Sequence, residues 1–233
     1  MNDTSLANAR GRMHCAGEAA LALAVLINSF GVVLMLYSGS GISAISSVPF
    51  AFSEVLPAFS LGTWTYLFQA ILVASLMMLR HRFVPAYLAS FVVGFAFSEM
   101  LNAHEAWINI LPDGFLWRVG YFITSYLVIS LGIALSNRCG LPIIPTDLFP
   151  RELSAITGCR YARIKISFDV LCLAATAALT IAFLGHLDGL GIGTILAAFT
   201  MGRAVSTIGN WIDKHIVFAP MLHRPARHRA LHH

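Results

Sequence analysis

Apolar residues fall in six long runs, 19–37, 63–79, 84–101, 116–136, 166–184 and 192–212, separated by short polar or mixed segments. A helix needs about 20 mostly apolar residues to cross the ~30 Å hydrocarbon core of a bilayer. Each run therefore predicts a transmembrane helix. Only Arg80-His81-Arg82-Phe83 separates the second run from the third, which predicts a tight charged hairpin. The first run is longer than a signal-peptide core and no clear small-residue cleavage site follows it, so it reads as a retained first helix.

Composition agrees with the pattern. The 233 residues are 58% hydrophobic and 11% charged, against roughly 25% charged in an ordinary soluble domain, and the mean hydropathy is +0.75. Nothing between the runs is long enough for a separate soluble domain. The expected fold is all-α and integral to the membrane, with the lipid bilayer as its first partner.

The basic residues orient the chain. Arg10, Arg12, Arg80, Arg82, Arg138, Arg151, Arg160, Arg163, Lys165, Lys214, Arg224, Arg227 and Arg229 all fall on one side of the predicted spans, while the connections 38–62, 102–115 and 185–191 contain no Lys or Arg. The positive-inside rule then puts both termini in the cytoplasm. The net charge of +4 is explained by loops that meet anionic headgroups, and no nucleic-acid partner is implied.

The chain also resembles itself. At an offset of 101, Leu26, Gly31, Leu34, Gly39, Ile42, Pro49 and Ser53 meet Leu127, Gly132, Leu135, Gly140, Ile143, Pro150 and Ser154; at 108, Phe91, Gly94, Ala96 and Ser98 meet Phe199, Gly202, Ala204 and Ser206. Each half has three crossings, an odd number, so the second half enters the membrane from the opposite side. The expectation is a 3+3 inverted repeat, an arrangement common among transporters: a cytoplasmic segment 1–18, a first repeat 19–101, an external connection 102–115, a second repeat 116–212 and a basic cytoplasmic tail 213–233.

Two stripes of small residues follow the repeat, Ala86, Ser90, Gly94 and Ser98 in the third helix and Thr194, Ala198, Gly202 and Ser206 in the sixth. Small residues four apart let backbones approach closely where lipid supplies no hydrophobic drive. These faces are expected to pack on each other or on the first helix of their own half. They would also permit a homodimer.

The long connections 38–62 and 137–164 are too apolar for ordinary loops. In the second, Gly140-Leu-Pro-Ile-Ile-Pro-Thr-Asp147-Leu-Phe-Pro-Arg-Glu-Leu predicts a short helix capped by Thr146 or Asp147, with Leu148, Phe149, Leu153 and Ile156 on its apolar side. In the first, Ser46, Ser47 and Pro49 lead into Phe50, Phe52, Val55 and Leu56. Such half-helices can lie on the surface or re-enter the membrane where protein buries the backbone. Asp147 at the helix start argues for a cap or a cation site rather than an anion site.

The Gly140 motif, with Lys165-Ile-Ser-Phe-Asp169 and Gly191-Ile-Gly-Thr-Ile-Leu-Ala-Ala-Phe-Thr-Met-Gly202, resembles the bacterial YczE/YyaS/YitT group of membrane proteins, most closely the YczE-like branch without a soluble C-terminal domain. That resemblance implies a polytopic α-helical fold in the bacterial cytoplasmic (inner) membrane. It supplies no reaction and no substrate.

Ionisable residues inside a bilayer are costly and are functional candidates by default. Asp169 lies about one turn inside the fifth helix, and Arg203 roughly 13 Å from the inner end of the sixth at 1.5 Å per residue; these two could pair. Glu99 and Arg118 lie near the outer ends of the third and fourth helices and could form an outer pair. Gln69, one position from the residue equivalent to Asp169, adds a polar group in the first half.

Other motifs lead nowhere. Gly189-x-Gly191-x-Gly193 precedes a membrane helix rather than following a strand, so a dinucleotide site is not expected. The histidines and the four cysteines lack ligand or disulfide spacing, and no nucleophile motif points to an enzyme. No cofactor and no metal are expected. The reading is a small-solute or ion transporter or channel with Arg203, Asp169, Asp147, Gln69, Glu99 and Arg118 as candidate polar groups; a non-transporting scaffold or assembly partner is the alternative.

Overall fold

A two-stranded parallel clasp ties the ends of the bundle together in the computed structural model, which describes residues 13–219. Strand β1 (Met13–Ala16) pairs with β2 (Ile216–Ala219), Met13 opposite Ile216 and Ala16 opposite Ala219. This pairing puts the start of the first crossing and the end of the last on one face, called the terminal face below. Arg10, Arg12 and the basic tail from residue 220 lie outside the described residues.

Between the strands run eight helices: α1 (Gly17–Tyr37), α2 (Ala44–Val55), α3 (Leu61–Arg80), α4 (Pro85–Trp107), α5 (Phe115–Ser136), α6 (Pro145–Thr157), α7 (Tyr161–Leu184) and α8 (Ile192–His215). A short 3-10 turn, Ile108–Ile110, extends α4. Six of the helices, all but α2 and α6, are long and apolar enough to cross a membrane. The chain is a multi-pass membrane protein, and α2 and α6 occupy its two long connections.

Local chemistry sets the boundaries. The hairpin between α3 and α4 turns on His81, whose φ of 47° is left-handed, and α4 restarts with Pro85 in its first turn, where a missing N–H costs nothing. Helix α6 begins at Pro145 for the same reason, one or two residues before the expected cap. Asp147 is therefore the third helical residue and not a cap, and no side chain caps α6. Helix α7 begins at Tyr161 rather than at residue 166, so Arg163 and Lys165 are helical.

Helix packing comes in matched pairs. Helices α1 and α5 cross each other; α1 packs on α4 and α5 on α8; α3 packs on α4 and α7 on α8; α2 packs on α7 and α6 on α3. The α1–α5 crossing is reciprocal in detail. A Cβ at Gly31 would stand 2.6 Å from Ile129 Cγ1, and one at Gly132 2.1 Å from Asn28 Oδ1. Each glycine thus admits the residue three positions before the other glycine, which is how small residues bring membrane helices together.

The small-residue stripes are largely buried, with Ala86 exposed and Ser206 half-buried. Their glycines meet α3, α6 and α7 rather than each other or the first helices. A Cβ at Gly94 would approach Gln69 Oε1 and Pro145 Cδ, and one at Gly202 would approach Ala162 and Lys165. The packing expectation is corrected on this point: the close backbone approach serves the crossing that precedes each stripe in sequence.

Candidate functional site

The first turns of α2 and α6 converge in the interior on a cavity of about 20 Å³. Ser43, Ala44, Ile45 and Ser46 line it from α2, and Ile144, Thr146 and Asp147 from α6; Lys165 and Asp169 of α7 and Asn28 of α1 complete the polar lining. Phe97, Ile129, Ile133, Ala197 and Met201 form the apolar remainder. Asn28 lies near the middle of α1 and Ile129 in the interior of α5, so the cavity is at mid-span. Its volume suits one water molecule or one monatomic ion.

The polar groups are almost sealed from the surface. Lys165 and Asp169 are each 1% exposed, and Asn28 and Asp147 4%. The Lys165 ammonium donates to Asp169 Oδ1 one turn on. Asn28 Nδ2 reaches Asp147 Oδ2 at 3.5 Å, a long contact that leaves the carboxylate weakly held. Lys165, then Arg151, are the positive groups acting on Asp147. Asn28 Oδ1, which abuts Gly132, has no hydrogen-bond partner in the structure.

Helix α2 is held in register on α7 by a 2.8 Å hydrogen bond between the Ser47 and Thr176 hydroxyls, and by contact of Ile45 and Val48 with Cys172. Helix α6 is tied to the terminal face by Glu152, whose Oε2 accepts from Arg80 Nη2 and from the Tyr87 hydroxyl, each at 2.6 Å. Opposite the terminal face, the chain after α1 is stitched to the α7–α8 loop. Ile42 N donates to Gly189 O at 2.9 Å and Thr194 N to Ser40 O at 3.3 Å. Gly41, with φ of 96°, makes this crossing feasible, since a Cβ there would stand 2.1 Å from Thr194 Oγ1.

Two recesses lie on the terminal face. A recess of about 440 Å³ lies between Arg80, Val84, Ala86, Ser90, Gly140, Pro142 and Arg151. On the other flank of α6, a second recess of about 330 Å³ is lined by Asn137, Arg138, Arg151, Tyr161, Ser206 and Asp213. Arg138 closes its rim with a bidentate pair to Asp213 at 2.7 and 2.8 Å.

Of the residues singled out in the sequence, Asp147 and Asp169 meet at the cavity and the others do not. Arg203 and Glu99 are exposed on the outer surface of the bundle. Arg203 does not pair with Asp169, whose partner is Lys165. Arg118 does not pair with Glu99; its guanidinium takes both oxygens of Asp113 at 2.8 and 3.1 Å. That bidentate bond and the Gly114 N–H hold the Asp113 carboxyl below its ordinary range. Gln69 is fully buried beside Gly94 and Pro145, and neither of its polar atoms has a hydrogen-bond partner.

Lys165 and Asn28, which line the cavity, are not among those candidates. The sequence groups Lys165 with the loop charges, because the apolar run begins one residue after it. The signal was its i,i+4 spacing to Asp169, which places both on one face of a helix. Asn28 is the lone amide in the first apolar run. Among the described residues, no group of three or more His, Cys, Asp or Glu could hold a metal ion.

Six membrane-length helices around a sealed, charged mid-span cluster define a polytopic membrane protein with a polar interior site. Over residues 16–210 the chain matches a family described as a family of unknown function (DUF6198), and it belongs to that family. No curated protein and no solved structure matches it.

Proposed function

We propose that this protein is a transporter for a small ion or solute, built as an inverted repeat whose two half-helices, α2 and α6, re-enter the membrane from opposite faces. The observation that carries the reading is the convergence of their first turns on the cavity with Asp147, Lys165, Asp169 and Asn28. A bundle held together only by packing has no need to take two carboxylates and an ammonium out of water, a step that costs several kcal/mol per ion before pairing offsets it.

The matched packing supports the repeat. Exchanging α1, α2, α3 and α4 with α5, α6, α7 and α8 maps the principal helix contacts onto one another. Burial follows the same exchange: Thr65, Gln69, Leu72 and Leu76 of α3 are buried, as are Lys165, Asp169, Cys172 and Thr176 one hundred positions on. Gln69 is then the counterpart of Asp169, and the two halves carry the same positions with different chemistry. Half-helix ends facing a mid-span site are a recurring transporter device.

The halves differ in one respect that fits alternating access. Around Gly41 the chain is hydrogen-bonded to the α7–α8 loop, whereas the equivalent place, around Pro142, borders the recess at Arg80 and Ala86. The protein is therefore read as closed on the face away from the termini and partly open on the terminal face. Loop charge and the likeness to YczE-type proteins support termini in the cytoplasm of a bacterial cell.

The test is a flux screen in proteoliposomes over alkali cations, protons, halides and small neutral solutes. The wild type should move at least one of these, and Asp147→Asn should abolish the movement. No flux for any of them with folded protein would overturn transport in favour of a scaffold role.

A further inference from the structure

Two charges stand where lipid would be. Glu99 of α4 and Arg203 of α8 are exposed, and among the described residues neither has an ion-pair partner. Helix α4 runs on to Trp107, so each charge lies at least about two turns from either end of its helix. Counted at 1.5 Å per residue, Glu99 is about 21 Å from the start of α4 and Arg203 about 18 Å from the end of α8. Both of those helix ends belong to the terminal face. The two charges therefore share one depth, far from either headgroup layer, where a bare ion is costly.

They also lie on one side of the bundle. Helix α4 packs on α1 and α8 on α5, with α1 and α5 crossing between them, so the order across this side is α4, α1, α5, α8. The half-helices lie behind the central pair, where Asn28 and Ile129 line the cavity with them. Leu26 and Leu127, two residues earlier and about 200° round their helices, are exposed on the other side. Glu99 borders an apolar groove of about 830 Å³ between α1 and α4, with Leu26, Val92 and Phe95. Arg203 stands 108 positions after Phe95, and burial matches at that offset: Ser90, Gly94, Phe97 and Leu101 are buried, as are Ala198, Gly202, Val205 and Gly209. Thr200, whose hydroxyl accepts a 2.9 Å hydrogen bond from Tyr126 of α5, is about 60° from Arg203 round α8. Arg203 thus borders the α5 flank of α8 as Phe95 and Glu99 border the α1 flank of α4.

We propose that this side is the interface of a homodimer, with Glu99 of each copy paired to Arg203 of the other. All copies of a chain insert with the orientation their loop charges set. A two-fold axis along the membrane normal, between α1 and α5, lays the row α4, α1, α5, α8 against its own reverse. Helix α4 then meets the second copy's α8, antiparallel to it, and α1 meets α5. The rotation leaves depth unchanged, so both ion pairs form together, as an isologous contact requires. Exposed Phe199 and Trp211, one turn before and two turns after Arg203, supply apolar bulk toward the facing groove. Away from water such a pair is strong, and the alternative for either charge is bare lipid.

The experiment uses the purified full-length chain at low density in phosphatidylcholine vesicles, with oligomeric state read by single-molecule photobleaching of dye-labelled protein. The wild type should be dimeric. Glu99→Arg and Arg203→Glu each bring like charges together and should weaken association by about tenfold or more. Mixing these two variants should restore dimers, because both pairs of the mixed dimer then join opposite charges; the double variant should restore them as well. A pair within one chain would be rescued by the double variant but not by mixing. A second test keeps the native charges. Along the antiparallel crossing Phe95 falls opposite Thr207 of the second copy, one turn from the ion pair. With Cys15, Cys139, Cys159 and Cys172 replaced, Phe95→Cys with Thr207→Cys should form a disulfide-linked dimer when oxidised by copper phenanthroline, and either cysteine alone should not. The proposal is overturned if the wild type is monomeric in vesicles, which would leave this side to lipid, if folded single reversals stay dimeric, if mixing them restores nothing, or if the cysteine pair does not cross-link.

Discussion

Lys165 donates to Asp169 one helical turn further along α7, and the two side chains form an ion pair out of reach of water. Removing one partner leaves an uncompensated buried charge, which costs about 3–5 kcal/mol. Asp169→Ala should therefore lower unfolding stability by that order, read by denaturant titration in detergent. The double variant Lys165→Met with Asp169→Leu should recover most of the loss while remaining inactive. A single substitution costing under about 1 kcal/mol would mean that the pair is hydrated.

The α1–α5 crossing makes a steric prediction. Gly132→Ala would put a Cβ 2.1 Å from Asn28 Oδ1, while Gly120, on the same helix, has nothing within 4 Å of its Cβ position. Gly132→Ala should destabilise the bundle by about 1–3 kcal/mol, the usual scale of overpacking. Gly120→Ala should be neutral. Thermal unfolding of the two variants side by side checks both.

Charges on the outside of the bundle should not matter to the cavity. Arg203→Ala and Glu99→Gln alter exposed side chains away from it, so flux should stay within twofold of wild type. Loss of flux in a folded Arg203 variant would move the functional site to the membrane-facing surface of α8.

The tie between α6 and the α3–α4 hairpin is open to one substitution. Tyr87→Phe removes a 2.6 Å hydrogen bond to the Glu152 carboxylate and should cost about 1.5–3 kcal/mol, the range for hydrogen bonds to charged groups. Arg80 still holds Glu152 at 2.6 Å, so α6 should stay docked. The readouts are Tm and protease sensitivity of the α5–α6 segment.

Much of this was legible in the chain, and the omissions have physical causes. Lipid demands long apolar runs, so the six spans followed directly from composition. The proline-rich connections announced α2 and α6 because proline opens a helix easily and continues it badly. Depth was also legible; direction was harder. Arg203 sits at mid-depth, yet Gly202 packs inward against Ala162 and Lys165, and the next residue lies about 100° further round the helix. The inward stripe thus already implied that Arg203 faces away. Lys165 was hidden by charge. A loop reading suits Arg160, Arg163 and Lys165 taken together, and only the carboxylate four residues on reveals that the last of them is buried. Asn28 gave no signal beyond its type, because its role depends on a glycine of another helix, Gly132, that sequence does not place beside it.

The central claim, a mid-span site reached alternately from both faces, is tested most directly at Ser46, which lines the cavity from the first turn of α2. Ser46→Cys is introduced after replacing Cys15, Cys139, Cys159 and Cys172, the free cysteines of the chain, and is labelled in sealed vesicles with a membrane-impermeant maleimide applied to each face in turn. The account predicts labelling from both faces, slowed by the transported ion. Labelling from neither face, in protein that reacts fully once denatured, would contradict it.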